Sequence, residues 1–482
     1  MPILETTYDI NMNRRKLFFK INAFLYAFMA YSLYHINRKV FSAVKTTMSK
    51  IWTPQDLNST FYEFDQWNKH DLFSTSEEAG YFMGTLDMVF MIFFAIGLYI
   101  SGSLGDRINM RKILAFGLIS SSISIFFFGF ISERFQIYNI YWYLVFYIIT
   151  GLLQSTGRPI VISAIGNWFP KSKRGRIMGI WSASPLAGNM IGSYLAYLIL
   201  PFGYEYVYLT TSLVGITGGI VIYYGFVVSP QEIGFPLEVD EAVGQPSITS
   251  SQETSNQNGP EQKAINFFKA FLIPGVIAYA IGFACLKFVN YSFFFWLPYY
   301  LHDVYNWTDT KSDFFSMFYD LGGIFGSLLA GLGSDWLGVR SPVVGLCLLL
   351  ACPAMGAYYG SPNNHLINGL LLFLVGACII GASIIISTAI AADIGQQGKL
   401  EAKATIIGII EGTGSFGAAI GQLLIPRLRF TGGNWYLIFL IFIGMTFLTL
   451  LCILKIIWKD ILLLREKYRS RYLHLQEETS PS

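Results

Sequence analysis

"GSLGDRINMRK", residues 102 to 112, and "GLGSDWLGVRS", residues 331 to 341, are built on one frame. Gly, Asp and Arg keep the spacing G-x3-D-x4-R in both: Gly102, Asp106 and Arg111, then Gly331, Asp335 and Arg340, at an identical offset. Each stretch follows the second apolar run of its half of the chain. The frame therefore marks a duplication, and the fold is read as two copies of one unit.

The surroundings define that unit. Of 482 residues, 53% are hydrophobic and only 13% charged, a membrane protein's composition. Apolar runs of about 20 residues, the length that crosses a bilayer, recur near 17–47, 79–101, 113–132, 140–165, 177–200, 206–228, 273–299, 314–333, 342–359, 366–391, 405–426 and 435–457. They are continuously apolar, not alternating as barrel strands are. The expected fold is an all-α membrane protein of twelve transmembrane helices in two pseudo-symmetric six-helix bundles. Its parts are a first bundle over 1–229, a polar, Ser- and Gln-rich flexible linker over 230–263, a second bundle over 264–457 and a tail over 458–482.

Lys and Arg orient such a chain. Arg14, Arg15, Lys16, the run "KSKRGR" at 171–176 and the basic residues between Arg465 and Arg471 fall on one side. The opposite loops hold only Lys50, Lys69, Arg134, Lys311, Arg427 and Arg429. Both termini are expected in the cytoplasm, which puts the sequons at Asn58 and Asn306 outside, where glycosylation is possible. A third sequon, at Asn290, lies inside a helix.

The charges within the runs bear on function. "YHINRKVFSAVK", residues 34–45, puts Arg38, Lys39 and Lys45 in the first helix. A charge at the bilayer centre costs about 2.5–3.5 kcal/mol on insertion scales, so such residues need partners or water and mark substrate paths. Arg38 and Lys45 share a face, two turns apart, and Lys39 points away as the structural charge. Lys287 and Asn290 share a face of the seventh helix, and Arg158 precedes Pro159, a kink, in the fourth. Asp87, Asp320 and Glu411 are the acidic residues in the runs. Cations lining a chamber with few counter-charges attract an anion, and the planar fork of Arg favours an oxygen-rich dianion such as a phosphate. Two competing readings remain: the three carboxylates absorb the cations in a buried network, or Arg38 snorkels to the surface.

Six plus six helices, a long linker and the doubled loop resemble the major facilitator superfamily, whose halves rock about a midplane site. That resemblance implies a cytoplasmic gate of Asp106, Arg107, Arg111, Asp335 and Arg340; as helix-end caps they would have no such role. "YHINRKVFSAVK", "GLLQSTGRPIVISAIGNWFPKSKRGRIMGIWSASPLAGNMIGS", "KFVNYSFFFWLPYYL" and "IIEGTGSFGAAIG" are similar to the eukaryotic sugar-phosphate/phosphate exchangers, the glucose-6-phosphate translocase among them. This closer resemblance implies exchange of an organophosphate for inorganic phosphate, with Arg38 gripping the phosphoryl group, in the endoplasmic reticulum membrane. The chain departs from the family's pattern in three places. Asn290 stands where bacterial members carry a second arginine, Ser184 and Pro185 where the family has a helix 5 histidine, and Arg158 where it has tryptophan.

Other chemistries lack support. "GTGSFG" at 412–417 has no preceding strand, so no dinucleotide is expected. Five scattered histidines and five helical cysteines give no metal or disulfide spacing. No nucleophile and base can be paired, and no catalytic residue, cofactor, metal or nucleic-acid partner is expected. The expected partners are a small phosphorylated anion, inorganic phosphate and the bilayer, with protein partners unknown. Two rival functions are a fold-retaining subunit or sensor that has lost transport, and a proton-coupled anion symporter using Asp87 or Glu411.

Overall fold

A computed structural model describes the backbone of residues 2–53, 72–105, 108–169, 177–235, 272–390, 403–430 and 434–479, with the side chains of 2–13, 99, 102–105, 388–390, 403–405, 407, 467, 468 and 470–479 left aside. Its described elements are helical throughout. In chain order they form the rods α1 (Pro2–Trp52), α2 (Ser76–Gly105), α3 (Met110–Arg134), α4 (Ile140–Trp168), α5 (Ile177–Phe202) and α6 (Tyr204–Gly225). The second half supplies α7 (Val276–Tyr305), α8 (Asp309–Leu337), α9 (Ser341–Tyr359), α10 (His365–Ser387), α11 (Lys403–Phe430) and α12 (Trp435–Thr479).

Eleven of these rods contain described stretches long and apolar enough to cross a membrane; α11 is the rod outside that set. Its Glu411, Gly412, Gly414, Ser415, Gly417, Gly421 and Gln422 dilute its apolar character, because α11 packs on protein along much of its length. A Cβ on Gly417 would lie 2.2 Å from the Ala284 carbonyl oxygen of α7, so only glycine permits this approach.

Short polar residues start the rods where the loops demand it. Asn109, Asn139, Thr308 and Asn364 accept backbone N–H groups at the N-termini of α3, α4, α8 and α10. In the first of the duplicated loops the cap is thus Asn109. In the second, Gly338 ends α8 at φ +73°, a left-handed position that suits glycine.

Prolines inside the rods release carbonyls, and the structure uses them. Pro159 interrupts α4 at Ser155, whose freed carbonyl accepts the Ser101 hydroxyl of α2 at 3.2 Å. Pro298 in α7 frees the Phe294 carbonyl, which accepts Lys39 Nζ at 3.0 Å and Ser42 Oγ at 2.7 Å from α1. A cation of the first half thereby docks on a freed carbonyl in the second.

The halves meet firmly at one end. There Phe430 and Pro426 of α11 fill the space beside Gly80 and Gly84 of α2, and Thr47 of α1 donates to Asp309 of α8 at 2.8 Å. Toward the opposite end, Gly179, Gly331 and Gly408 have no described atom within 4 Å of where a Cβ would sit. Among the described residues the bundle is closed at the Trp52/Phe430 end. Residues 236–271, which hold most of the expected linker, lie outside the described residues, as do Asn58, Asp106 and Arg107.

Candidate functional site

A cavity lies between the halves. The first half contributes Tyr31 and His35 from α1, Arg158 from α4, and Trp181, Pro185 and Asn189 from α5. The second contributes Lys287, Asn290 and Tyr291 from α7, Asp320 from α8, Ser383 from α10 and Glu411 from α11, with aromatic and aliphatic groups between them. An apolar wall with a few convergent polar groups is the usual make-up of a small-molecule site.

Its charges are organised by one carboxylate. Glu411 Oε1 lies 2.8 Å from an Arg158 guanidinium nitrogen, and Glu411 Oε2 lies 3.0 Å from Lys287 Nζ. Lys287 also donates to Ser415 Oγ at 3.0 Å. Arg158 belongs to the first half and Glu411 to the second, so the carboxylate ties the halves together across the cavity. Two cations on one anion leave an excess positive charge, and the triad remains attractive to an entering anion.

A second chain of contacts crosses the same gap. His35 Nδ1 is 2.9 Å from Asn189 Oδ1, and Asn189 Nδ2 donates to Asp320 Oδ1 at 2.9 Å. These residues come from α1, α5 and α8. Asn290 is engaged by the Tyr319 hydroxyl at 2.9 Å and lines the wall, half-buried in mid-helix.

The three cations of α1 have separate fates. Arg38 is buried and stands one turn beyond His35, outside the cavity lining. Its Nε donates to Gln154 Oε1 at 3.0 Å, and its guanidinium sits 4.4 Å from the centre of the Phe94 ring and 5.4 Å from that of Phe90. Both terminal nitrogens lack a hydrogen-bond partner among the described residues. Snorkelling is thus not what Arg38 does. Lys45 is also away from the cavity: it is wholly buried, ion-paired with Asp87, 3.1 Å from the Phe295 carbonyl and 4.0 Å from the centre of the Trp296 ring. The helical spacing of Arg38 and Lys45 does not bring them to one chamber, because a neighbouring carboxylate captures the lysine first. Lys39 docks on α7, as described above.

Sequence reasoning placed Asp87, Asp320 and Glu411 among the candidate partners of the cations; Asp87 and Glu411 do pair with them, but a cavity persists beside the Glu411 triad. It missed the His35–Asn189–Asp320 chain. The signal for it was three polar residues on apolar faces of separate helices, which only packing can bring together. At the helix 5 position of departure, Ser184 accepts Ser32 Oγ on its carbonyl at 2.8 Å and Pro185 lines the cavity.

The other candidates are scattered. Arg111 lies 3.7 Å from Glu232 at the start of the linker, Asp335 is exposed and Arg340 half-buried. Asn306 is exposed and ends α7 in a left-handed conformation.

Comparisons agree with this architecture. The Major Facilitator Superfamily profile matches residues 27–421. Sugar phosphate exchanger 3 of Xenopus laevis is 43% identical over 463 residues, 91% of this chain and 92% of that protein. A glucose-6-phosphate exchanger of Bos taurus is 32% identical over 478 residues, covering 91% and 94%. A bacterial homologue of the human lysosomal transporter Spinster, solved in an inward-facing, unoccupied conformation, aligns with TM-score 0.60 over 96% of this chain and 99% of that one. At 16% identity it attests to the fold alone. The chain belongs to the Major Facilitator Superfamily and, within it, to the sugar-phosphate exchangers.

Proposed function

We propose that this protein exchanges a phosphorylated sugar or glycerol phosphate for inorganic phosphate, opening its central cavity to each side of the membrane in turn. The observation that carries the reading is the Arg158–Glu411–Lys287 triad on the cavity wall. A phosphate dianion offers both cations the acceptors that Glu411 now supplies, and more of them. Binding by Arg158 and Lys287 would loosen the tie between the halves. An empty carrier keeps its Arg158–Glu411 bridge and resists rocking, so movement requires an anion on each leg, and exchange prevails over one-way flow. The relatives named as sugar phosphate and glucose-6-phosphate exchangers support this choice of anion. Arg38, with two idle guanidinium nitrogens one turn from His35, is a further phosphate ligand in this reading once the cavity walls shift; Asn290 orients the sugar.

The cytoplasmic placement of both termini belongs to the same proposal. It makes the Trp52/Phe430 end the outer one, and that outer end is closed in the form described here. Arg111, Asp335 and Arg340, with Asp106 and Arg107, would then guard the inner mouth, and Asn58 and Asn306 would face the lumen of the endoplasmic reticulum. Glycosidase sensitivity lost in Asn58→Gln/Asn306→Gln checks that topology.

The deciding assay uses purified protein in liposomes with labelled glucose 6-phosphate outside and inorganic phosphate inside. Uptake should require internal phosphate and fall at least tenfold in Arg158→Ala and in Lys287→Ala. Equal uptake into phosphate-free liposomes would overturn exchange. Wild-type uptake in both variants would overturn the assigned site.

A further inference from the structure

A polar stripe on α8 is not used by the exchange just described. Asp309, Asp313, Ser316 and Asp320 stand at i, i+4, i+7 and i+11, one face of the helix, and that face meets the first half along its length. At the closed end Asp309 accepts Thr47 Oγ1 and lies 3.7 Å from Lys50 Nζ. Farther in, Ser316 Oγ is 3.4 Å from Ser193 Oγ of α5. At the cavity, Asp320 accepts Asn189 Nδ2. Asp313 sits between them with 0% exposure, and among the described residues neither of its carboxyl oxygens has a hydrogen-bond partner.

The charges around Asp313 can be counted. From α1, Lys39 is buried and donates to the Phe294 carbonyl while under the influence of both Asp313 and Asp320. Lys45, on the same helix, is taken by Asp87. On its own helix Asp313 has Asp309 as the nearer charge. From α5 the facing groups are the neutral Asn189 and Ser193. From α7 they are the Phe294 carbonyl and, at the closed end, His302, whose Nδ1 is 2.8 Å from Asp309 Oδ1. From α10, His365 stacks on Phe315 and Trp307 and is turned to them.

Among the described residues Lys39 is thus the one cation that acts on both Asp313 and Asp320, and the three are neutral together only with one proton added. Asp320 has an amide N–H to hold its charge; Asp313 has none. An ionised carboxylate buried without a partner is strongly disfavoured, so the proton belongs on Asp313.

We propose that Asp313 is the proton-binding site of the gate at the Trp52/Phe430 end: its carboxylate takes one proton from water as that end closes and returns it as the end opens. The step is carboxylate plus proton giving carboxylic acid, with no other bond changed. It goes beyond phosphate exchange and rests only on the alternate opening proposed above. Because the closed form holds one more proton, acid favours closure. The closed-to-open ratio should rise by up to about tenfold per unit of falling pH wherever the open form is ionised.

The test needs no substrate. Spin labels at Ser74→Cys and Val304→Cys, exposed on opposite halves of that end, are placed on the full chain freed of its five native cysteines, in lipid nanodiscs. Distance distributions measured across pH should show the closed fraction growing with acid in the otherwise wild-type chain, unchanged with pH in Asp313→Asn, and still growing in His302→Gln. No response in the first, or a response kept by Asp313→Asn, overturns the proposal; a response lost in His302→Gln but kept in Asp313→Asn moves the proton to His302. Infrared spectra of the unlabelled wild-type chain guard against a misfolded variant. They should contain a protonated carboxyl band in the closed form, and its absence overturns the proposal by itself.

Discussion

Lys45 and Asp87 show how a membrane charge becomes structural. Both are fully buried, and Tyr147 and Trp296 complete their surroundings. Removing one member of such a pair leaves an uncompensated charge, which costs about 3–5 kcal/mol, whereas replacing both with apolar groups is far milder. Asp87→Asn should therefore lower the thermal midpoint of the detergent-solubilised protein sharply, and Asp87→Leu combined with Lys45→Met should recover most of it. A fluorescence melt of the three proteins checks this. Arg38 differs in kind: a lysine at position 38 would keep charge but lose the planar stack on Phe94 and the Nε bond to Gln154.

At the scale of elements, glycine and proline decide how closely rods approach and what they expose. Gly417 brings α11 against α7, and that contact sets Glu411 beside Lys287. Gly417→Val should force the Ala284 carbonyl away, destabilise the protein by about 1–3 kcal/mol as overpacking does, and impair uptake more than Gly408→Val, which meets no described neighbour. Stability and uptake measured side by side on the two variants make the comparison. Pro298 acts by subtraction, since the carbonyl it frees is the one that receives Lys39 and Ser42. The apolar rods were legible in the sequence from run length and the break in α4 from Pro159, but the rod ends were not: α1 starts at Pro2 and α12 continues to Thr479 through charged residues that no hydropathy run includes. The rod α11 was legible as a helix although its polar and small residues suit a protein-facing wall better than lipid.

For the whole molecule, the closed end depends on small residues where the halves touch. Gly80 of α2 leaves just enough room for the Phe430 ring of α11. Gly80→Leu should hold that end apart, abolish exchange and lengthen the distance between spin labels at Ser74→Cys and Val304→Cys, while sugar-phosphate binding to the solubilised protein persists. An unchanged distance would show that the contact does not close the gate.

Hydropathy, the doubled G-x3-D-x4-R frame and the charges placed against the cost of hydrocarbon sufficed to determine the class of fold, the duplication and the expectation of an anion path. These are properties of single segments, and a single segment carries them in its own order of residues. Which cations face the cavity was decided only in three dimensions. Arg158 and Lys287 are some 130 positions apart and meet because Glu411, from yet another helix, binds both. Lys45 left the candidate site for Asp87 by the same rule. Lys45, Lys287 and Arg158 each go to the opposite charge that packing supplies, and nearness across helices is not written in sequence spacing.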